Sequence, residues 1–490
     1  MFRPRQLTAS LLLLSMLSII SCGDTITDSP TTTDTATDSD ADSTTDQYGS
    51  GYPYYGDNDF GGKTFTIYNV KKDLWDMICV IQPDELNGEI INDTIYNRNE
   101  LVKQELNCEI EEVNEETEGN MAANLQTYIL AGDAVYDAVY MPMYQVIGGL
   151  TEGYYTCLND VSTIHLDEDW WDQILLDSTS IRNKNYFATS AAHLMGYDGL
   201  WCLFFNENMM DELGLEYPYQ LVRDGEWTLD KFSEYCKAAA NLNGDDSFVK
   251  DANGKAVFGC TSFHNVVMKF IYGLNVDFVS KDENDEPVFK CEDENFINAC
   301  QKLAEYFGKS GEYLNADSDT ALDTYYQLFF ENQRTLFLGA ELKTAQLLRS
   351  MEQSFGIVPF PKLNEEQENY RSTAVHQCCV FTIPVTNTEP EKVGLLFDAL
   401  SYESEARVIE PYFEVLVEQK GLRNENSIEM LNLIKETRSF DIGVSYQWVV
   451  DLETELRGVL LAGNPDVTAI IAKHKNTVQD KVDQTLEMMQ

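Results

Sequence analysis

The stretch from Thr335 to Pro361 constrains the fold most. Thr335 to Leu338 is a short apolar run that closes on Gly339. Glu341 to Met351 contains no Gly or Pro and carries Leu342, Ala345, Leu348 and Met351 at helical spacing. Phe355 to Val358 is a second apolar run, stopped by Pro359 and Pro361, which cannot continue a ladder. Strand, helix, strand is the unit of an open α/β sheet, where ligands bind outside the carboxyl ends of strands and beside helix N-termini. Gly339-Ala340-Glu341 is predicted at such a place. The pattern alone fits a buried α/β unit without a ligand equally well.

The same alternation runs through the chain from Phe60. Phe65 and Ile67 predict a strand, Asn92–Leu106 a helix, Cys108–Val113 a strand, Ala122–Ala131 a helix and Val135–Met141 a buried strand. Asn185–Ala188 is predicted as a strand leading into the first crossing between two halves of the molecule, and His376–Pro384 as the segment that carries the chain back. Asn206 and Thr228 are natural N-caps, and Trp227 with Phe232 occupies the positions of a hydrophobic staple, which favours a structural role for that Trp. Thr388 with Glu391 predicts a capping box ahead of a helix bearing Val393, Leu396, Phe397 and Leu400. Gly61-Gly62-Lys63-Thr64 is not a phosphate loop, because it precedes a strand and lacks the upstream Gly in register.

Three segments, 136–150, 198–213 and 329–361, together resemble the extracellular solute-binding proteins of ABC importers, in the branch that includes the maltose-binding protein. That family has a strand ending in Gly, a ligand-contacting side chain, a helix and a strand ending in a Pro-rich loop, as in Phe337-Leu338-Gly339-Ala340-Glu341 through Pro359-Phe360-Pro361. Pro142 to Leu150, with its Gly148-Gly149 pair, resembles a ligand-contacting loop of the family, and Asp198 to Asn206 resembles its strand ending in an aromatic-Asn pair. The family's Trp, Asp and Arg of the first loop are not present here. The resemblance implies two α/β lobes joined by crossing strands that act as a hinge, a two-lobed periplasmic-binding-protein-like fold. It implies residues 60–190 and 380–440 in lobe 1, and residues 191–379 and 441–490 in lobe 2. The ligand contacts it implies are Met141, Tyr144, Gln145, Asp198, Phe263, His264, Glu341 and Trp448.

Residues 1–22 read as a leader. Arg3 and Arg5 precede the apolar run Leu11–Ile20, and Ile19-Ile20-Ser21-Cys22 resembles the lipobox of bacterial lipoproteins, which makes Cys22 the lipidation site. The run is shorter than the roughly 18 residues a spanning helix needs. From Gly23 to Asp59 the chain has nine Asp and no Lys or Arg, and it is expected to form a disordered tether. The net charge of −48 excludes a phosphate-backbone partner. Eleven Cys contain no Cys-x-x-Cys pair and no zinc-ligand spacing with His, so no metal site is expected.

No catalytic motif is present: no His-Glu-x-x-His, no Gly-x-Ser-x-Gly, no complete phosphate loop and no EF-hand loop. The sequence therefore reads as a monomeric, non-enzymatic receptor with no cofactor, lipid-anchored on the outer face of the cell membrane. It would capture a sugar or oligosaccharide in an interlobe cleft and deliver it to the membrane subunits of an ABC permease. The alternatives are a cell-surface polysaccharide hydrolase, because two carboxylates can meet in a cleft, and an adhesion or sensory lipoprotein with the same fold.

Overall fold

The computed structural model describes residues 49–251, 253–316, 330–374, 378–417, 422 and 424–489. Cys22 and the leader lie outside them, as do residues 23–48 of the expected tether. Thirteen strands occur among the described residues: β1 (Lys63–Val70), β2 (Cys108–Glu115), β3 (Ala138–Pro142), β4 (Trp201–Asn206), β5 (Phe258–Ser262), β6 (Val279–Lys281), β7 (Pro287–Phe289), β8 (Tyr313–Asn315), β9 (Thr335–Glu341), β10 (Phe355–Val358), β11 (Ser372–Thr373), β12 (Cys379–Thr382) and β13 (Arg438–Ser439).

They build two main sheets. The first has the order β12-β3-β1-β2, with β1 parallel to β2 and β3, and β12 antiparallel to β3. The second has the order β10-β4-β9-β5-β8, with β5 parallel to β8 and β9, and β4 antiparallel to β9 and β10. Every residue of β3, β4, β9 and β10 is buried. Strands covered on both faces have no solvent side on which polar residues could alternate, which is why they read as unbroken apolar runs. Helices Ile90–Leu106, Pro390–Arg407 and Ile409–Val417 pack on one another beside the first sheet. Helices Leu229–Ala239 and Glu425–Glu436 pack on β5 and β10 of the second. The pair β11–β13 is parallel, with Ser372 opposite Arg438.

The expected caps form at both helix starts. Asn206 accepts from Met209 N at 3.0 Å and Thr228 from Lys231 N at 3.3 Å. Trp227 and Phe232 meet edge to face at 5.8 Å, both fully buried, as a staple requires. The capping box does not form: helix Pro390–Arg407 starts after Glu389 with no side-chain cap. Glu391 instead accepts from Ser162 Oγ at 2.8 Å and Thr163 N at 3.2 Å, a tertiary contact that outcompetes the local one.

Two further expectations are corrected. Asn185–Ala188 is not a strand. It makes a single bridge, Ala188 to Phe381, so the crossing is irregular. Residues 49–59, assigned to the tether by composition, are anchored to the folded part through Ser50 and Tyr52. Tyr52 is buried and donates from Oη to Asp398 at 2.8 Å, and Ser50 donates to Glu403. Asp398, fully buried, also accepts from His165 N, from Trp170 Nε1 at 3.2 Å and from Trp171 Nε1 at 2.7 Å, and pairs with His165 Nδ1 at 2.7 Å. Three tyrosines in an otherwise polar segment supply the apolar area that residues before Tyr48 lack.

Candidate functional site

The site is built where β5 and β9 end and β4 begins. The expected helix from Glu341 does not start there. β9 runs on through Glu341, which pairs with Trp201, and Leu342 N continues the pairing by donating to Leu200 O at 2.7 Å. The helix is only Thr344–Leu347. Long-range strand pairing overrides the helical spacing of Leu342, Ala345 and Leu348. Gly339 sits in β9 where a Cβ would come within 2.7 Å of Val266 Cγ2. Its absence lets helix Val266–Gly273 approach the strand, and Lys269 lies one turn into that helix.

Lys269 is 3% exposed and Trp201 1% exposed. The ammonium lies 5.3 Å from the Trp201 ring centroid, and the Phe263 ring lies 5.1 Å from Trp201, centroid to centroid. Trp201 Nε1 is buried with no hydrogen-bond partner. Glu341 on β9 and Glu453 on helix Val450–Leu461 are buried carboxylates that both act on the ammonium, and among the described residues neither comes within the 4.0 Å of an ion pair. Burial pushes Lys269 down to about 8, against the opposing fields of Glu453 and Glu341. Burial likewise raises Glu341, opposed by Lys343 and Lys269, and raises Glu453, opposed by Lys269 and Arg457.

A second wall comes from the loop after β1. Trp75 and Asp76 adopt left-handed backbone angles, φ 53° and 58°, a conformation costly for a bulky side chain and tolerated where the surroundings over-determine it. Lys343 Nζ donates to Trp75 O. Asp198 accepts from Ile78 N and from Tyr412 Oη, each at 2.7 Å. Burial pushes Asp198 up to about 6, with those two hydrogen bonds and Lys343 pulling it back. The loop 74–78 is thereby fastened to the strand ends of the second sheet at two points. Sequence reasoning missed Trp75, although an aromatic directly past the carboxyl end of a strand was a usable signal. It also missed Lys269, a single cation inside the apolar run Val266-Val267-Met268-Lys269-Phe270-Ile271.

The sequence-derived candidates divide. Glu341 and Phe263 flank Trp201 directly, and Asp198 joins them through its carbonyl, which accepts from Lys343 N at 3.0 Å. His264 follows, half-buried, with its ring edge-on to Phe263 at 6.1 Å. Tyr144 lies in the first turn of helix Met143–Thr151, half-buried, next to the crossing segment through Met143 N to Cys378 O at 3.0 Å. Met141 is fully buried in β3 opposite Val380. Gln145 is spent internally, donating to Glu118 O and accepting from Ala122 N at 3.1 Å. Trp448 is interior: it stacks on Tyr446 at 4.9 Å and donates from Nε1 to Thr485 Oγ1 at 3.0 Å.

A cavity of about 340 Å³ is lined by Trp170, Asp172, Tyr197, Glu405, Lys435 and Arg438 among others, and a groove of about 720 Å³ by Arg223, Tyr370, Glu429 and their neighbours. Neither is lined by Tyr144, Phe263 or Glu341. Among the described residues no group of three or more His, Cys, Asp or Glu is placed to hold a metal ion, and no helix is long and apolar enough to cross a membrane.

No family model matches the chain, and no curated protein matches it in sequence. Its fold is similar to those of solved solute-binding proteins. An ABC substrate-binding protein of Listeria monocytogenes in complex with cycloalternan aligns at 12% identity and TM-score 0.53, covering 87% of this chain and 99% of that one. The GacH receptor of Streptomyces glaucescens, solved unliganded and with acarbose, aligns at 13% identity and TM-score 0.53, covering 86% and 98%. UgpB from Mycobacterium tuberculosis in complex with glycerophosphocholine aligns at 14% identity and TM-score 0.55, covering 87% and 99%. The chain has the two-lobed α/β fold of these binding proteins.

Proposed function

We propose that this chain is the substrate-binding component of an ABC importer and that its solute is a saccharide. The observation that carries the reading is the group of buried Trp201, Lys269 and Glu341 with half-buried Phe263 at strand ends of the second sheet, tied through Lys343 to the loop that follows β1 of the first. It combines an aromatic wall, which suits sugar C–H faces, with ammonium, indole N–H and carboxylate, which suit hydroxyls. Similar folds hold cycloalternan and acarbose in the structures above, which supports a carbohydrate.

In this reading each main sheet with its helices is one lobe, and the crossing segments around 188–200, 378–383 and β13 are the hinge. A solute that touches both lobes is bound more tightly when they close, so it shifts the population toward the closed form that a permease engages. Cys22 carries the lipid that keeps the receptor on the outer membrane face, and the chain acts by binding without catalysis.

The test is a thermal-shift screen of residues 49–490, which form one compact unit, against neutral and charged oligosaccharides, followed by calorimetry. A ligand at about one hundred times its Kd stabilises by about 2.7 kcal/mol. A broad panel with no shift and no heat of binding refutes the saccharide reading, and turnover of any glycan in the panel refutes the receptor. Palmitate labelling lost on Cys22→Ala tests the anchor separately.

A further inference from the structure

The cavity of about 340 Å³ is a different place from the group around Trp201: none of its lining residues is Trp201, Phe263, Lys269 or Glu341. Pockets for small molecules begin at about 300 Å³. Residues 169–174, the segment before β4, the facing helix ends at Glu405 and Ile409, and the run into β13 converge on it.

The buried part of the lining holds a cation whose donors are not all met. The Arg438 side chain is 12% exposed, and its Nη1 lies 3.0 Å from Asp172 Oδ2. The guanidinium carbon lies 5.5 Å from the Tyr197 ring centroid. Asp172 is fixed in turn as the N-cap of helix Gln173–Thr179, accepting from Leu175 N at 3.1 Å. Arg438 Nε is buried with no hydrogen-bond partner. A guanidinium presents its donors as a planar fork, and a carboxylate takes two of them side by side. A buried donor without an acceptor is costly, so the fork calls for one acceptor more than Asp172 supplies.

The exposed part of the lining has the opposite sign. Asp169, Glu405 and Glu436 make no ion pair or side-chain hydrogen bond with another described residue. In all, four carboxylates and two cations line the cavity. A bare anion meets that excess of carboxylates, and a bare cation leaves Arg438 Nε without an acceptor. A molecule carrying both charges answers both walls. Its body is apolar, because Trp170 and Trp171 spend their indole N–H groups on Asp398, at 3.2 and 2.7 Å, and offer the cavity only carbon.

We propose that this cavity is a second ligand site, for an aliphatic α-amino acid. Arg438 takes the carboxylate, Glu405 faces the ammonium, and the side chain lies against Trp170 and Ile409. The inference does not depend on the saccharide reading.

Calorimetry on the full chain tests it with L-leucine, L-leucinamide and 4-methylpentanoate, which share one body and carry both charges, the cation alone or the anion alone. L-leucine binds, and each single-charge analogue binds about 10-fold or more weakly. Glu405→Lys, at an exposed position, keeps the wild-type Tm, weakens L-leucine about 10-fold and tightens 4-methylpentanoate. Arg438→Lys keeps the charge but loses the fork, and weakens L-leucine about 10-fold. No binding of L-leucine to the wild type, an analogue that binds as tightly as L-leucine, or L-leucine affinity unchanged in Glu405→Lys each overturns the inference. Should Arg438→Lys not fold, Glu405→Lys decides alone. The saccharide screen stands or falls separately, because it reads a different group of residues.

Discussion

Replacing Asp198 with alanine separates a positioning role from a ligand contact. In the structure its carboxylate is occupied by Ile78 N and Tyr412 Oη, both at 2.7 Å, and is itself buried. Removing it leaves a buried phenol and a backbone N–H without acceptors. Each such loss costs about 1–3 kcal/mol, and together about 4 kcal/mol. For the 442 residues of the compact unit, the unfolding entropy is about 0.9 kcal/mol per kelvin, so Tm falls by about 4 °C. The more specific readout is amide exchange. If Asp198 fastens loop 74–78, the Ile78 N–H loses its acceptor and about 2 kcal/mol of local protection, and it exchanges about 30-fold faster. Asp398→Ala is the control, because that buried carboxylate lies in a different network and lowers Tm without touching Ile78. An Ile78 exchange rate that rises less than about threefold in Asp198→Ala, while Tm falls as computed, would show that the loop is held by something else and refute the reasoning.

The remaining predictions concern other parts of the same machinery. Asp398→Ala removes the acceptor shared by Tyr52, His165, Trp170 and Trp171 and costs about 3–5 kcal/mol in chemical denaturation, and it exposes residues 49–59 to limited proteolysis. Gly339→Ala forces a Cβ against Val266 and costs about 1–3 kcal/mol, with a fall in saccharide affinity as Lys269 is displaced; unchanged Tm and affinity contradict the close approach. Lys269 has a folded-state pKa near 8, below its unfolded value, so the folded state binds fewer protons between pH 8 and about 10.5. Wild-type stability therefore rises relative to Lys269→Met across that window, by up to about 3 kcal/mol, and parallel stability profiles would contradict the burial of the amine. Asp198 is raised to about 6, so its folded state binds more protons between about pH 4 and 6, and stability falls as pH rises through that window; Asp198→Asn flattens the slope there in urea titrations.

Particular residues show how far the sequence could be read. The strand after Arg334, the buried strand after Asp137, the caps at Asn206 and Thr228 and the staple at Trp227 were all legible, because each rests on neighbours within four or five positions. Glu341 and Phe263 were legible as candidates through family resemblance, and the structure places both against Trp201. Glu341 as a helix start, Glu391 as a capping-box partner and residues 49–59 as tether were misread for one reason. In each case a partner more than a hundred residues away, Leu200 and Trp201, Ser162, or Asp398, supplied the hydrogen bonds that local pattern assigned to neighbours.

By itself the sequence determined the alternation of strands and helices, the acidic surface and the polar, Lys- and Arg-free stretch before the first tyrosines. These follow from backbone sterics, side-chain branching and charge, which act over a turn or two of chain. Tertiary structure alone decided that Lys269, inside an apolar helix, stands beside Trp201, and that the loop at Trp75 is pinned by Lys343 and Asp198. Those groups are separated by tens to hundreds of residues. Lys269 meets Trp201 within the second sheet and its helices, whereas the Trp75 loop reaches it from the first, and the free energy of both comes from the summed burial of the whole core rather than from any local preference.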